Sequence, residues 1–304
     1  MITQPSLQKQ LNPMTRIIPL IKLIRPQQWV KNTFLFLPIF FAGEFFDVQR
    51  MILLFLGFVS FSIVSSAVYV LNDYKDIEAD KLHPVKQYRP LASGAVSPGF
   101  ALVLMAVLAL SGLGLAYWIN PSYSLLLLGY MLMNVLYSMG LKNVSIVDIL
   151  IVATGFVMRT IAGGIIADVY ISHWLVIMIF LLSLFLVIAK RREDMLEYMA
   201  SGKAIRKSIA NYNLDFINLT ITMLSGVIIV SYIMYTVSPE VNERMHSNNL
   251  YVTSVFVITG LLRYMQITLV ENKSGSPVRI LYRDRFIHFT LVGWIATFFL
   301  IIYL

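Results

Sequence analysis

Residues 51–71 read MILLFLGFVSFSIVSSAVYVL, and residues 72–80 read NDYKDIEAD. The first part is mostly apolar and uncharged, and its length is about the twenty residues that an α-helix needs to cross the hydrocarbon core of a bilayer. The second part carries four carboxylates. A membrane-spanning helix therefore ends in an acidic cluster where it meets water.

The spacing of the acidic cluster points to a cation. At helical spacing, Asp73, Asp76 and Asp80 lie at i, i+3 and i+7 and share one helix face. Like charges that close together destabilise one another unless positive charge neutralises them. Mg²⁺ suits such a site, because it takes oxygen ligands, commonly one or two carboxylates with water and substrate phosphates. We therefore predict that the three aspartates bind Mg²⁺.

The composition places the whole chain in a membrane. Of its 304 residues, 58% are hydrophobic and 13% are charged, and the mean hydropathy is +0.75. A soluble domain of this length has too little interior to bury so much apolar surface. We predict an all-α membrane protein with nine transmembrane helices, over residues 29–46, 51–72, 98–118, 122–138, 145–167, 171–189, 214–237, 250–270 and 286–304.

The basic residues predict how the chain is oriented. Twenty of the twenty-four Lys and Arg residues lie in the N-terminal segment, at the start of the first span or in the even-numbered loops. Cytoplasmic loops are enriched in these residues. We therefore expect residues 1–25 to form a cytoplasmic N-terminal segment and the acidic cluster to lie on the cytoplasmic side of the inner membrane.

Charge and cysteine content exclude several classes of function. The net charge of +8 is accounted for by orientation in the membrane, so we expect no binding of nucleic acid. The chain has no cysteine, which excludes disulfides, thiolate metal ligands and a cysteine nucleophile. The first thirty residues lack the pattern of a removable signal peptide. No composition break divides the chain, so we expect one domain over residues 1–304, with a homo-oligomer left open.

Basic residues follow the acidic cluster closely. The segment His83-Pro84-Val85-Lys86-Gln87-Tyr88-Arg89-Pro90 places cations for a phosphate beside carboxylates for a metal. That combination is typical of a diphosphate site. The alternative is an ordinary interfacial loop in which acids and bases pair with one another.

Two further segments carry candidate phosphate ligands. Near the first span, Trp29 is a residue type that is enriched at the level of the lipid headgroups. Arg25 has two equally good explanations: its side chain extends to the membrane surface, or it binds a phosphate. Lys31 and Asn32 lie just inside an apolar segment and are candidates for contact with a phosphate. After the sixth span, the positive-inside bias alone explains the run that begins with Lys190 and Arg191.

The fifth predicted helix carries an arginine near the middle of the membrane. Asp148, Gly155, Arg159 and Gly163 share one stripe of this helix, and a glycine stripe lets another segment approach closely. Arg159 lies about 16 Å along the helix from Asp148 at 1.5 Å per residue. An ionised residue at that depth indicates a functional cavity or a buried partner. The alternative is a structural arginine bonded to helix-end carbonyls.

Several motifs, taken together, carry a resemblance to a known family. With Asn72-Asp73-x-x-Asp76-x-x-x-Asp80 after the second predicted span, the chain resembles the UbiA superfamily of intramembrane prenyltransferases. The resemblance implies a UbiA-type bundle with its active site on the cytoplasmic side. Five elements resemble the decaprenyl-phosphate phosphoribosyltransferase branch: Arg25-Pro26-x-x-Trp29-x-Lys31-Asn32, His83-Pro84-x-Lys86-x-x-Arg89-Pro90, Tyr137-Ser138-x-x-Leu141-Lys142, Arg159-x-x-Ala162-Gly163-Gly164 and Lys190-Arg191.

One departure separates this branch from the rest of the superfamily. Typical members carry a second aspartate-rich motif after the sixth span, where this chain has Lys190-Arg191-Arg192-Glu193-Asp194. A run of cations suits an extra phosphate, and phosphoribosyl diphosphate carries a 5-phosphate as well as its diphosphate. The resemblance therefore implies that the lipid accepts the transferred group and does not donate it.

The resemblance implies a Mg²⁺-dependent enzyme of cell-wall biogenesis. It would transfer the 5-phosphoribosyl group of phosphoribosyl diphosphate to a polyprenyl (decaprenyl-type) monophosphate and release diphosphate. The predicted metal ligands are Asn72, Asp73, Asp76 and Asp80, and the first three of these are the predicted catalytic residues. The predicted substrate-binding residues are Lys31, Asn32, Lys86, Arg89, Tyr137, Lys142, Asp148, Arg159, Lys190 and Arg191.

Three other functions compete with this one. The nearest is a conventional prenyltransferase that moves an isoprenyl group from its diphosphate to an aromatic or other small acceptor, and the missing second acidic motif argues against it. A transporter or lipid flippase would place its acids nearer the midplane and use broken helices in matching halves. A noncatalytic scaffold leaves unexplained why acids and bases gather on one side of the membrane.

Overall fold

The structure is a computed structural model that describes residues 13–201, 207–272, 280 and 283–303. Residues 1–12 of the predicted N-terminal segment lie outside these ranges. Within them the chain forms helices and loops, and no strand. The α-helices are α1 Pro13–Ile24, α2 Leu37–Phe41, α3 Val48–Lys75, α4 Ile77–Lys81, α5 Pro98–Ile119, α6 Pro121–Met139, α7 Val147–Ala167, α8 His173–Ser201, α9 Leu214–Val237, α10 Pro239–Met245, α11 Ser254–Met265 and α12 Arg285–Tyr303.

Short helical segments of other types complete the fold. A π-helical turn, Gln266–Val270, continues α11. The 3₁₀ segments are Pro26–Phe36, Lys86–Tyr88, Leu141–Asn143, Lys207–Asn211 and Leu250–Thr253. Among the described residues, eight helices are long and apolar enough to cross a membrane. They coincide with eight of the nine predicted spans, which confirms an all-helical, multi-pass membrane protein.

The predicted first span, residues 29–46, does not form one continuous helix. The 3₁₀ segment Pro26–Phe36 is followed directly by the five-residue helix α2. A 3₁₀ helix of eleven residues is unusual, since such runs seldom exceed three or four residues. Its polar side chains find partners on neighbouring helices: Trp29 Nε1 donates to Ser66 Oγ at 3.0 Å. A ninth long helix is therefore not confirmed, because tertiary contacts override the hydropathy of this segment.

The ends of the long helices follow capping signals in the sequence. The Asp47 carboxylate accepts the Arg50 backbone N–H at the start of α3. Asn120 is the single residue between α5 and α6, and its side chain accepts the N–H groups of Ser122 and Tyr123. These side chains satisfy backbone donors that have no partner inside the helix. The one-residue connection makes α5 and α6 antiparallel neighbours.

Helix α7 lies at the centre of the packing that positions the site. It packs against α3, α6, α8 and the 3₁₀ segment 26–36. The closest approach is at Gly163, where an added Cβ would overlap the Leu35 carbonyl oxygen. At Gly163, the glycine stripe therefore lets the 3₁₀ segment 26–36 approach α7 closely, as predicted. Fully buried side chains such as Phe61 and Tyr123 fill the core around this contact.

The connections after α3, α6 and α8 meet at one end of the bundle. Lys142, in the turn after α6, contacts Asp76 at the end of α3. Arg191, in the last turns of α8, contacts Asp148 in the first turn of α7. Chain segments far apart in sequence thus bring their charged side chains together at this end. The opposite end of α3 differs, because an apolar groove lined by Phe55 and its neighbours lies there.

Candidate active site

The acidic segment lies where α3 ends. Helix α3 ends at Lys75, Asp76 forms a turn, and α4 begins at Ile77. The backbone stays close to helical, since the Asp76 N–H donates to the Asn72 carbonyl at 3.0 Å and the Asp80 N–H donates to the Asp76 carbonyl at 2.7 Å. The single helix expected across the cluster is therefore interrupted, although its two halves follow one another closely.

Asp73 and Asp80 converge on one cation. Their side chains are buried, with 2% and 3% of the residue surface exposed. Nη1 of Arg89 donates to Asp80 Oδ2 at 2.7 Å and to Asp73 Oδ1 at 3.1 Å. Nη2 of Arg25 also donates to Asp73 Oδ1, at 2.5 Å. Two buried carboxylates are thus neutralised by two guanidinium groups that come from opposite sides of α3 in the sequence.

Asp76 turns to a different part of the chain. Nζ of Lys142 lies 2.6 Å from Asp76 Oδ1 and comes from the 3₁₀ turn Leu141–Asn143. One turn earlier, at the end of α6, Ser138 Oγ donates to Asn72 Oδ1 at 3.4 Å. These contacts join the end of α3 to the end of α6 and place predicted metal and phosphate ligands in contact.

Of the three aspartates predicted to share one helix face, only two lie together in the structure. Asp73 and Asp80 share Arg89, whereas Asp76 faces Lys142. In the part of the chain that the structure describes, no three acidic or histidine side chains form a ready-made metal site. The pairing of acids with bases that the alternative interpretation expects is present. Its partners come from three separate segments, however, which an ordinary interfacial loop does not explain.

Arg25 is a site residue that the sequence left open. Its backbone is left-handed, with φ 54° and ψ 60°, a conformation that residues other than glycine adopt rarely and at a cost of about 1–3 kcal/mol. The guanidinium lies 5.3 Å from the centre of the Tyr69 ring. The sequence showed only a cation directly before Pro26 and near Trp29. Such a cation is explained as well by extension to the membrane surface as by binding of a phosphate.

A second polar cluster lies between the 3₁₀ segment 26–36, α3, α6 and α7. Arg159 is buried, and its Nε donates to Asn32 Oδ1 at 2.8 Å. Its Nη1 donates to the Gly155 carbonyl at 2.6 Å and its Nη2 to the Tyr130 hydroxyl at 2.8 Å. Asn32 donates in turn to Ser62 Oγ at 2.9 Å. Two predicted residues, Asn32 and Arg159, thus lie together. Tyr130 was missed, because one tyrosine in an apolar helix carries no distinct signal.

A third cluster contains Asp148 and Arg191, two predicted substrate-binding residues. Arg191 Nε donates to Asp148 Oδ2 at 2.9 Å, and its Nη1 donates to Asp194 Oδ2 at 2.5 Å. The Tyr212 hydroxyl donates to Asp148 Oδ1 at 3.2 Å. Burial, together with the neighbouring Asp148 carboxylate, raises the pKa of Tyr212. Asp148 and Arg191 thus pair with each other inside the protein, and a contact with substrate stays a prediction.

The remaining predicted residues lie around these clusters. Lys86 and Tyr137 are partly buried, and Lys190 is exposed. Two residues after Lys190, the buried Arg192 donates from Nη1 to the Thr268 carbonyl at 2.6 Å. Of the three cations that follow the sixth predicted span, only Lys190 is exposed. Arg191 and Arg192 are held inside the bundle.

Together, the fold and the charged contacts define a helical membrane protein whose apolar bundle gathers carboxylates and cations at one end. Carboxylate oxygens are ligands that Mg²⁺ prefers, and phosphates commonly complete its shell. The model of the UbiA prenyltransferase family matches residues 33–288, and the chain belongs to that family. The resemblance seen in the sequence is thereby confirmed.

Related proteins match almost the whole chain. The decaprenyl-phosphate phosphoribosyltransferase of Mycobacterium tuberculosis is 31% identical over 97% of this chain and 96% of its own length. The protein of the same name from Corynebacterium glutamicum is 28% identical over 94% of this chain and 87% of its own length. These relatives carry the name of the branch that the motifs indicated.

Solved structures share the fold. A UbiA homolog from Archaeoglobus fulgidus, solved with GPP and Mg²⁺, superposes with a TM-score of 0.68 at 19% identity, covering 94% of this chain and 100% of its own. The structure of a digeranylgeranylglyceryl phosphate synthase has a TM-score of 0.64 at 20% identity, covering 95% of this chain and 99% of its own. The predicted UbiA-type bundle is confirmed.

Proposed function

We propose that the chain transfers the 5-phosphoribosyl group of phosphoribosyl diphosphate to a polyprenyl monophosphate and releases diphosphate. The observation that carries the proposal is the site where Arg25, Arg89 and Lys142 meet three aspartates at one end of a membrane-embedded bundle. Such a site suits a diphosphate with a divalent cation. Relatives of about 30% identity over nearly the whole chain, named decaprenyl-phosphate phosphoribosyltransferase, support this substrate pair.

The residues present fit Mg²⁺. Asp73 and Asp80 supply oxygen donors, and both face one positively charged nitrogen of Arg89, so positive charge is already accommodated between them. The described contacts engage only one oxygen of each carboxylate. Asp73 and Asp80 would hold the ion, and Asp76 and Asn72, which contact Lys142 and Ser138, stay predicted ligands. When bound, Mg²⁺ would neutralise charge on the diphosphate as the leaving group departs.

The cations of the site would bind and orient the diphosphate. A guanidinium has five N–H donors in a fork that matches phosphate oxygens. Arg89 contacts both aspartates through Nη1 alone, which leaves its other donors for a phosphate. Lys142 adds a further positive charge at the same end of the bundle. Fixed positive charge near the departing oxygens lowers the energy of the transition state.

The reaction exchanges one bond for another at C1 of the ribose. The bond from C1 to the diphosphate oxygen breaks, and an oxygen of the lipid phosphate forms the new bond to C1. The bonding pair leaves with the diphosphate. A monophosphate oxygen is already anionic near neutral pH, since the second pKa of a phosphate monoester is about 6. The protein therefore needs to position this oxygen and does not need a strong base.

The location of the site in the membrane forms part of the proposal. Most Lys and Arg residues lie in the N-terminal segment and the even-numbered loops. The positive-inside rule then supports a cytoplasmic N-terminus and a site that faces the cytoplasm across the inner membrane. A water-soluble sugar diphosphate would enter from that side, while the polyprenyl tail of the acceptor would remain among apolar helices.

The deciding experiment is a transfer assay with full-length protein purified in detergent. Phosphoribosyl diphosphate labelled in the ribose is incubated with Mg²⁺ and polyprenyl phosphate, and label is counted in the organic phase. We expect label in the lipid, and none after chelation of the metal. In a parallel reaction the label is placed in an isoprenyl diphosphate and an aromatic acceptor is supplied; label transferred to that acceptor, with no ribose label entering the lipid in the first reaction, would identify a conventional prenyltransferase instead.

A further inference from the structure

Arg159 is a buried cation that contacts only neutral groups among the described residues. Its hydrogen-bond acceptors are the Asn32 amide oxygen, the Gly155 carbonyl and the Tyr130 hydroxyl. The rings of Phe61, Tyr130 and Phe156 surround the guanidinium, with their centres 4.9–5.5 Å from Cζ. These contacts engage three of its five N–H donors and fix its position. None of them supplies a negative charge.

Other arginines of the site differ in this respect. Arg25 and Arg89 contact aspartates at the end of α3, and Arg191 lies between Asp148 and another carboxylate. A buried ion without a counter-ion is costly, and in a membrane-spanning region it indicates a functional partner. The charge of Arg159 therefore calls for an anion that the described protein does not provide.

Lys31 adds a second positive charge to the same place. It is adjacent in sequence to Asn32, which holds Arg159, and it lies within electrostatic range of both Arg159 and Arg25. In the part of the chain that the structure describes, no hydrogen bond or ion pair engages its ammonium group. Lys31 is partly buried, so its charge is only incompletely screened by water. Two like charges held this close repel one another unless an anion lies between or beside them.

We propose that Lys31 and Arg159 form a binding site for a phosphomonoester, separate from the diphosphate site at the end of α3. Lys31 would contact the phosphate, because its three N–H donors are not engaged by the described residues. Arg159, held by its neutral partners, would act as a fixed charge beside it. Identifying the source of the phosphate rests on the proposed function, which offers two: the phosphate of the lipid acceptor and the 5-phosphate of phosphoribosyl diphosphate.

The contacts of this cluster distinguish it from the diphosphate site. Arg159 is held by the neutral groups of Asn32, Gly155 and Tyr130, whereas Asp73 and Asp80 share the guanidinium of Arg89. The aspartates that suit a metal are at the helix end, and no carboxylate contacts Arg159 in the described structure. A phosphate bound there would be held by cations alone, which suits a monoester that needs no metal.

The test uses thermal unfolding of the full-length protein in detergent. The probes are farnesyl phosphate, a short polyprenyl monophosphate, and ribose 5-phosphate, each titrated without Mg²⁺. The variants are Lys31→Met, which removes the charge and keeps most of the side-chain length, and Lys31→Arg, which keeps the charge. Lys22→Met is the matched control, because Lys22 is an exposed residue of α1.

We expect at least one probe to raise the unfolding temperature of the wild-type protein and of the control. Lys31→Met should need a probe concentration roughly tenfold or more higher for the same shift, since a charge-assisted contact is lost. Its unfolding temperature without probe should equal or exceed that of the wild-type protein, because a repulsion is removed. A purely structural lysine would give the opposite change. Lys31→Arg should restore most of the response.

The two probes distinguish the sources of the phosphate. Loss of the response to farnesyl phosphate assigns the site to the lipid acceptor, and loss of the response to ribose 5-phosphate assigns it to the sugar donor. Equal responses in Lys31→Met and the wild-type protein, or no response in the wild-type protein to either probe, would overturn the proposed site.

Failure of this site and failure of the proposed function give different results. If the wild-type protein transfers no phosphoribosyl group but binds a phosphomonoester through Lys31, the function is wrong and the site stands. If the wild-type protein does transfer the group, and Lys31→Met keeps the KM of the wild-type enzyme for both substrates, the function stands and the site is wrong.

Discussion

Replacing Arg89 by glutamine should show whether Asp73 and Asp80 are built to share a cation. Nη1 of Arg89 is the only described group that contacts both carboxylates, and these are almost completely buried. Removing it leaves Asp80 without its ion pair and leaves Asp73 with Arg25 alone. The variant then carries excess negative charge in a buried place.

The size of the effect follows from these contacts. Breaking a buried ion pair by removing one partner costs about 3–5 kcal/mol. Arg89 is 26% exposed in its side chain, and Asp73 keeps one of its two cations, so both factors reduce the cost. We expect Arg89→Gln to lower the free energy of unfolding by roughly 2–3 kcal/mol in the absence of divalent metal, allowing for solvent screening.

Mg²⁺ should offset this loss, because it can replace the missing positive charge. Thermal unfolding in detergent, with chelator and with increasing Mg²⁺, measures the effect. The stabilisation by Mg²⁺ should be larger in Arg89→Gln than in the wild-type protein, since in the latter the guanidinium competes for the same oxygens. Lys81→Gln is the control, because Lys81 pairs with the exposed Glu78, and an exposed pair contributes about 0–1 kcal/mol.

One result would refute the reasoning. If Arg89→Gln unfolds at the wild-type temperature and Mg²⁺ stabilises both proteins equally, Asp73 and Asp80 do not depend on a shared cation. The metal assignment would then lose its structural support, whatever the enzymatic activity of the variant.

Three further predictions concern the same structure. Asp73→Asn should abolish label transfer in the assay above, while the variant still inserts and unfolds cooperatively, because it removes a metal ligand and keeps the side-chain volume. Gly163→Ala should lower the free energy of unfolding by about 1–3 kcal/mol in a thermal unfolding experiment, because the added Cβ would overlap the Leu35 carbonyl oxygen. Gly226→Ala is the control and should leave the unfolding temperature unchanged, because a Cβ there has open space. The hydrogen bond from Arg263 holds the pKa of Asp284 below its usual range. This pair therefore stabilises the fold above about pH 4, and the stabilisation is lost as the pH falls. Asp284→Asn should make the free energy of unfolding depend less on pH in the acid range.

Much of the fold was predictable because hydropathy acts locally. Each of the eight confirmed spans is a run of apolar residues long enough to cross a bilayer, and caps such as Asn120 mark the ends. The first predicted span shows the limit of this reasoning. Its apolar content is sufficient, but polar residues such as Asn32 bond to α3 and α7, and the segment becomes a long 3₁₀ helix.

The candidate site was predictable in its residue types and less so in its pairings. The acidic cluster, Arg89 and Lys142 were expected from their positions at the ends of spans, and the structure places them in contact. Arg25 remained ambiguous, because a cation at the headgroup level has two explanations. Asp148 and Arg191 were each predicted to bind substrate, and the structure places both, with Asp194, in a buried ion-pair network; their contact with substrate stays a prediction.

The sequence by itself determined a multi-pass helical membrane protein with an acidic, cation-rich end, and it identified the family. These properties depend on runs of neighbouring residues, since burial in lipid requires continuous apolar helices and motifs are short. Only the tertiary structure decided which charge neutralises which. Arg159 and Asn32 are 127 residues apart, and Lys142 and Asp76 are 66 apart. The packing of helices sets such distances, and Coulomb energy depends on distance in space and not on separation along the chain.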